Sequence, residues 1–99
     1  MKDKIALVTG GMGGIGTAIC QHLTKLGSKV IASYNQKGNH EAAKAWQLQQ
    51  KNQGLDIAIQ YVDVTDFYSC EAMIKNIEAE QGHIDILVNN AGITCDVQL

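Results

Sequence analysis

Eight residues, Thr9-Gly10-Gly11-Met12-Gly13-Gly14-Ile15-Gly16, hold five of the ten glycines in the chain. Ahead of them stands the apolar run Ile5-Ala6-Leu7-Val8, too short for a helix and therefore a buried strand. After them Ile15, Ala18, Ile19, His22, Leu23 and Leu26 recur with the spacing of one face of an α-helix. A strand-to-helix turn without side chains lets the backbone approach a pyrophosphate. The N–H groups and positive end of the following helix then stabilise the negative charge. Glycine also accepts the positive φ that such a turn needs, and packing alone would not require the backbone entropy of five glycines. An ATPase P-loop is excluded, because Gly16 is followed by Thr17 where that motif needs lysine.

The rest of the chain alternates in the same way. Gly27 supplies a left-handed cap for the first helix, and Val30-Ile31-Ala32 forms a second strand. Asn35 to Asn39 is turn material, with Asn39 capping a helix from His40 to Asn52 that carries Ala42, Ala43 and Trp46 and ends at Gly54. Ile57 to Val62 makes a third strand. Thr65 caps a third helix bearing Phe67, Cys70, Met73, Ile74 and Ile77, closed by Gly82, and Ile86-Leu87-Val88 is the fourth strand. The order βαβαβαβ predicts an α/β fold, a Rossmann-type doubly wound parallel sheet with right-handed crossovers and helices on both faces. The absence of proline suits regular elements joined by glycine, asparagine and aspartate turns.

Composition removes several functions. Ten acidic residues against eight basic ones, with no arginine, argue against nucleic acid as a partner. The longest unbroken apolar run is far short of the roughly 20 residues of a membrane helix. Met1-Lys2-Asp3-Lys4 leads directly into the first strand without a signal-peptide core, so a cytoplasmic location and no membrane partner are expected. With 45% hydrophobic and 18% charged residues the chain is globular rather than disordered. Cys20, Cys70 and Cys95 form no CxxC pair, so incidental thiols are expected, with neither a disulfide framework nor a metal site. His22, on the helix face, reads as a packed core histidine.

The kind of dinucleotide is legible at the end of the second strand. NAD-specific sites hold the adenosine ribose with an acidic residue about 20 positions after the glycine turn. No acidic residue occurs between Asp3 and Glu41. The segment Ser33-Tyr34-Asn35-Gln36-Lys37-Gly38-Asn39-His40 instead offers hydroxyls, amides, Lys37 and His40, which suit a 2′-phosphate that a carboxylate would repel. NADP(H) is therefore the expected cofactor, with Asn35 and His40 as candidate contacts.

These residues resemble the short-chain dehydrogenase/reductase family. Thr9-Gly10-x-x-x-Gly14-x-Gly16 matches its cofactor turn, Asp63-Val64 its motif after the third strand, and Asn89-Asn90-Ala91-Gly92 its motif after the fourth. The stretches Val8 to Cys20 and Asn89 to Thr94 are most similar to the acetoacetyl-CoA reductases of that family. Relatives acting on acyl-carrier-protein thioesters usually carry Ser-Arg where this chain has Met12-Gly13.

The resemblance implies that Gly10, Met12, Gly13, Gly14, Ile15 and Gly16 meet the cofactor. It further implies that Asp63 binds the adenine amino group beside the Val64 backbone, and that Asn90, Ala91 and Gly92 line the adenosine ribose and the approach to the nicotinamide, with Ile93 also meeting the cofactor. Asp96 follows that loop and is a candidate for the substrate mouth. Cys95 stands where relatives commonly have arginine.

The family's hydride transfer relies on a Tyr-x-x-x-Lys pair. Here Tyr34, Tyr61 and Tyr68 are followed four residues later by Gly38, Thr65 and Ala72, and no serine follows the fourth strand. No catalytic residue is therefore assigned within the 99 residues, and the chain alone is expected to be inactive.

Residues 1–99 are expected to be the N-terminal, dinucleotide-binding part of one larger Rossmann domain, interrupted soon after the fourth strand. The function implied is NADPH-dependent reduction of a 3-oxoacyl thioester, acetoacetyl-CoA to 3-hydroxybutanoyl-CoA, in an enzyme that the family suggests is a homotetramer. The alternatives are a 3-oxoacyl-acyl-carrier-protein reductase, another NADP-linked carbonyl reductase, or a nucleotide-binding module without chemistry.

Overall fold

The computed structural model describes residues 2–35, 40–63 and 66–90. Its elements run β1 (Ile5–Thr9), α1 (Gly14–Lys25), β2 (Lys29–Tyr34), α2 (His40–Asn52), β3 (Ile57–Tyr61), α3 (Phe67–Glu80) and β4 (Ile86–Val88). The four strands form one sheet in the order β3-β2-β1-β4. All three pairings are parallel, with Leu7 opposite both Ile31 and Leu87. Between β1 and β4 the chain order reverses about the first strand, which is the topological switch point where open α/β sheets bind ligands.

Strand alternation divides the core in two. Ile5, Leu7 and Ile31 pack on one face against Cys70, Met73, Ile74 and Ile77 of α3. Ala6, Val8, Val30 and Ala32 pack on the other against Cys20 and Leu23 of α1, with Trp46 of α2 partly buried beside them. The sheet is thus covered on both faces, as the near-continuous apolar strands require. Gly27, Gly54 and Gly82 follow the three helices, each with positive φ, where L side chains are strained.

The structure differs from the sequence reading at three points. The cap of α3 is Asp66, whose carboxylate accepts the Tyr68 N–H at 2.9 Å; Thr65 itself lies outside the described residues, as does Asn39. Second, α1 is rotated from the expected face, keeping Leu23 and partly Ile19 on the sheet. Gly16, Cys20 and Leu23 are its buried positions, whereas Ile15 is 73% exposed and Ala18, His22 and Leu26 are exposed too. The small Gly16 and Cys20 let the helix lie close on the turn and on β2, leaving the rest of the apolar stripe along an open groove of about 550 Å³ that reaches Val88. His22 is therefore not a core histidine. Third, Cys70 is disulfide-bonded, so the expectation of incidental thiols does not extend to it.

β4 is an edge strand of three residues, with Leu87 exposed. Among the described residues no helix is long and apolar enough to cross a membrane.

Candidate dinucleotide site

The turn from β1 into α1 is built on three glycines that the fold needs. Gly10 has φ +63°, and its carbonyl accepts the Gly13 N–H at 3.4 Å. A Cβ on Gly11 would lie 2.6 Å from Ala32 Cβ and 3.0 Å from Cys20 Sγ. A Cβ on Gly16 would overlap the Gly10 carbonyl oxygen and stand 2.8 Å from Gly11 Cα. These positions hold turn, helix and β2 together, and the Gly11 N–H extends the β1–β2 pairing to the Ser33 carbonyl at 3.3 Å.

Gly13 and Gly14 are different. Neither has positive φ, a Cβ on Gly13 would meet nothing nearer than 3.8 Å, and one on Gly14 would meet nothing within 4 Å. Neither protein packing nor backbone strain explains the missing side chains. Gly13 is also the N-cap of α1 and provides no side-chain cap, so N–H groups of the first turn lack that partner.

The turn is braced from both sides. Asn90 Nδ2 donates to the Gly10 carbonyl at 3.1 Å. The Thr9 hydroxyl lies 3.3 Å from the Val88 carbonyl and 3.1 Å from Asn89 Oδ1. On the α2 side, Trp46 Nε1 donates to the Thr17 hydroxyl at 3.0 Å, and that hydroxyl reaches the Gly11 carbonyl at 3.5 Å. Beyond β3, the Asp63 N–H donates to Ser69 Oγ at 2.9 Å and the Asp63 carbonyl accepts the Asp66 N–H, which fixes the strand-to-helix turn carrying Asp63.

A cleft of about 430 Å³ opens between the turn and α2. Of the expected site residues it gathers Gly10, Met12, Gly13 and Asn35. Gly14 and Ile15 line the apolar groove on the far side, so the Gly13–Gly14 peptide divides the two concavities. Gly16 is buried beneath the turn, and His40 stands beside the cleft, hydrogen-bonded to Tyr34. Val64, Ala91, Gly92, Ile93 and Asp96 lie outside the described residues.

Three lining residues were missed by the sequence reading: Ala42, Ala43 and Trp46. Helical spacing marks them as the apolar stripe of α2, and that stripe forms one wall facing the turn. Among the described residues, none that lines this cleft carries a carboxylate. Burial pushes the Cys20 thiol up to about 11, so this free cysteine is no nucleophile at neutral pH. Among the described residues no group of three or more His, Cys, Asp or Glu could hold a metal ion.

Glycine turn, parallel switch point and acid-free cleft together fit a phosphate-bearing dinucleotide. The family model for short chain dehydrogenases matches residues 4–99. The chain belongs to the short-chain dehydrogenase family. It is 56% identical over 96 residues to nodulation protein G of Azospirillum brasilense and 45% identical over 97 residues to an acetoacetyl-CoA reductase of Cupriavidus necator. A 3-oxoacyl-acyl-carrier-protein reductase of Haemophilus influenzae is also 45% identical, over 96 residues.

These alignments cover 97%, 98% and 97% of this chain but only 38%, 39% and 37% of the relatives. The chain therefore spans less than two fifths of the length of these short-chain dehydrogenase relatives. A solved metagenomic short-chain oxidoreductase in complex with NADP superposes with a TM-score of 0.79 at 29% identity, covering 94% of this chain and 41% of that one.

Proposed function

We propose that this chain supplies the NADP(H)-binding part of a reductase of 3-oxoacyl thioesters, converting acetoacetyl-CoA to 3-hydroxybutanoyl-CoA. The observation that carries the cofactor reading is the pair Gly13–Gly14, two side-chain-free positions that the fold does not use. They lie between the cleft and the groove, so an extended dinucleotide crossing the turn meets both concavities. The acid-free cleft, with the Ser33 hydroxyl and the Asn35 amide in its wall, favours a 2′-phosphate over a bare ribose. When bound, NADPH supplies a hydride for the 3-keto carbon.

The chain's own residues bind and orient that cofactor. Gly13 and Gly14 admit the pyrophosphate, Asp63 with the Val64 backbone meets the adenine, and Asn90 holds the Gly10 carbonyl in place. Ala91, Gly92 and Ile93 line the way to the nicotinamide, with Asp96 near the substrate. In this reading residues 1–99 are the N-terminal part of a single Rossmann domain, the whole protein is a cytoplasmic homo-oligomer, and its partner is a small acyl thioester. Met12-Gly13 favours the CoA ester over the acyl-carrier-protein ester, although relatives of both kinds share 45% identity with the chain.

Trp46 is the single tryptophan and lines the cleft, so it reports binding directly. Adding NADPH to the 99-residue chain is expected to quench Trp46 fluorescence saturably. Further addition of acetoacetyl-CoA is expected to consume no NADPH, because the 99 residues contain no Tyr-x-x-x-Lys pair. Unchanged fluorescence contradicts the cofactor reading. Thioester-dependent NADPH oxidation contradicts the assignment of the proton donor to residues outside these 99. A nucleotide-binding module without chemistry is favoured by that same missing pair, and activity of a longer chain carrying one decides against it.

A further inference from the structure

Three aromatic rings meet beside the cleft. Tyr34 closes β2, Tyr61 closes β3 directly opposite it in register, and His40 opens α2. Their centroids are 5.6 Å apart for Tyr34–His40, 5.7 Å for Tyr34–Tyr61 and 5.3 Å for His40–Tyr61, and both histidine contacts are edge-on. The Tyr34 hydroxyl lies 2.7 Å from His40 Nδ1. Tyr34 also lines the cleft next to Asn35, so the imidazole is tied to the cleft wall.

We infer that Tyr34 is a positioning residue, holding the His40 imidazole with its Nε2–H free to bind the 2′-phosphate of the dinucleotide. This rests on the NADP(H) reading above. Partial burial, and to a lesser degree the neighbouring Tyr61, hold the Tyr34 phenol above its ordinary range, so it keeps its proton. In the His40 tautomer inferred here, that proton is donated to Nδ1 at 2.7 Å. Nδ1 then accepts, and in that tautomer the ring proton resides on Nε2. An exposed ring without this contact would present either nitrogen and would lose its rotational freedom on binding. The ring contacts and the hydroxyl remove that loss beforehand.

The test compares the full chain with Tyr34→Phe and His40→Ala, using NADP+ and NAD+ as paired probes and Trp46 fluorescence as the readout. The ring nitrogens of His40 are followed separately by 15N NMR. His40→Ala is expected to weaken NADP+ binding about tenfold, as for a hydrogen bond to a charged group, and to change NAD+ binding by less than about twofold. Tyr34→Phe is expected to weaken NADP+ about threefold, spare NAD+, and move His40 from the Nε2–H form to a mixture of tautomers.

Unchanged NADP+ affinity or an unchanged His40 signal in Tyr34→Phe overturns the positioning role. Equal losses for both dinucleotides overturn the assignment to the 2′-phosphate. If the unaltered chain binds both dinucleotides but the variants behave this way, the inference alone fails. If the unaltered chain binds neither, the cofactor reading fails and takes the inference with it.

Discussion

Replacing Gly16 with alanine is expected to lower the stability of the chain by about 3 kcal/mol, the upper end for inserting a methyl group into filled space. The atoms it would strike are backbone: the Gly10 carbonyl oxygen, Gly11 Cα at 2.8 Å and Gly11 C at 2.9 Å. Backbone gives way less readily than the end of a side chain, so either the turn must lift off the helix or the helix off the sheet. Gly10 is itself held by the Gly13 N–H and by Asn90, and Gly11 by the Ser33 carbonyl, so a shift here disturbs three elements together. A domain of this size has roughly 5–15 kcal/mol in total. Thermal unfolding followed by circular dichroism is expected to show a midpoint lower by roughly 12–24 °C. A change of only a few degrees would mean that α1 does not sit on the turn as described.

Gly14→Ala makes the same chemical change two residues away with the opposite expected sign. The new methyl group meets no protein atom within 4 Å, and the backbone at Gly14 is helical. Restricting the unfolded chain then raises stability by about 0.4–1 kcal/mol, a midpoint higher by roughly 2–8 °C. Dinucleotide affinity is nevertheless expected to fall by about tenfold or more, because under the proposed cofactor reading the methyl group occupies the space through which a pyrophosphate approaches the first turn of α1. Calorimetric titration with NADPH, alongside the melting curve, checks both halves. A stabilised variant with undiminished affinity would show that Gly14 is not reserved for a ligand.

The element boundaries were legible because glycine punctuates this chain. Gly27, Gly54 and Gly82 each close a helix with positive φ, and short apolar runs mark all four strands. Four of the expected cofactor residues, Gly10, Met12, Gly13 and Asn35, meet in one cleft for the same reason, since both segments follow the carboxyl ends of adjacent parallel strands.

Hydropathy misled on α1. Its apolar stripe is wider than the surface that the sheet can cover: Leu23 and partly Ile19 pack there, beside Gly16 and Cys20, whose small size admits the close approach. Helical spacing marks Trp46 as apolar stripe but cannot say that it both packs against the sheet and lines the cleft beside it. The Tyr34–His40–Tyr61 cluster depends on the register that sets Tyr34 opposite Tyr61, which no local pattern encodes.

The most direct measurement is the affinity of the full chain for NADPH and for NADH, titrated side by side in the same buffer. The cleft edge has side-chain-free backbone at Gly13, and its described lining residues carry no carboxylate, which is what the proposed pyrophosphate and ribose positions require. NADPH is therefore expected to bind more tightly by about tenfold or more. Equal affinities, a preference for NADH, or no heat with either would contradict the assignment of this cleft to a 2′-phosphorylated dinucleotide.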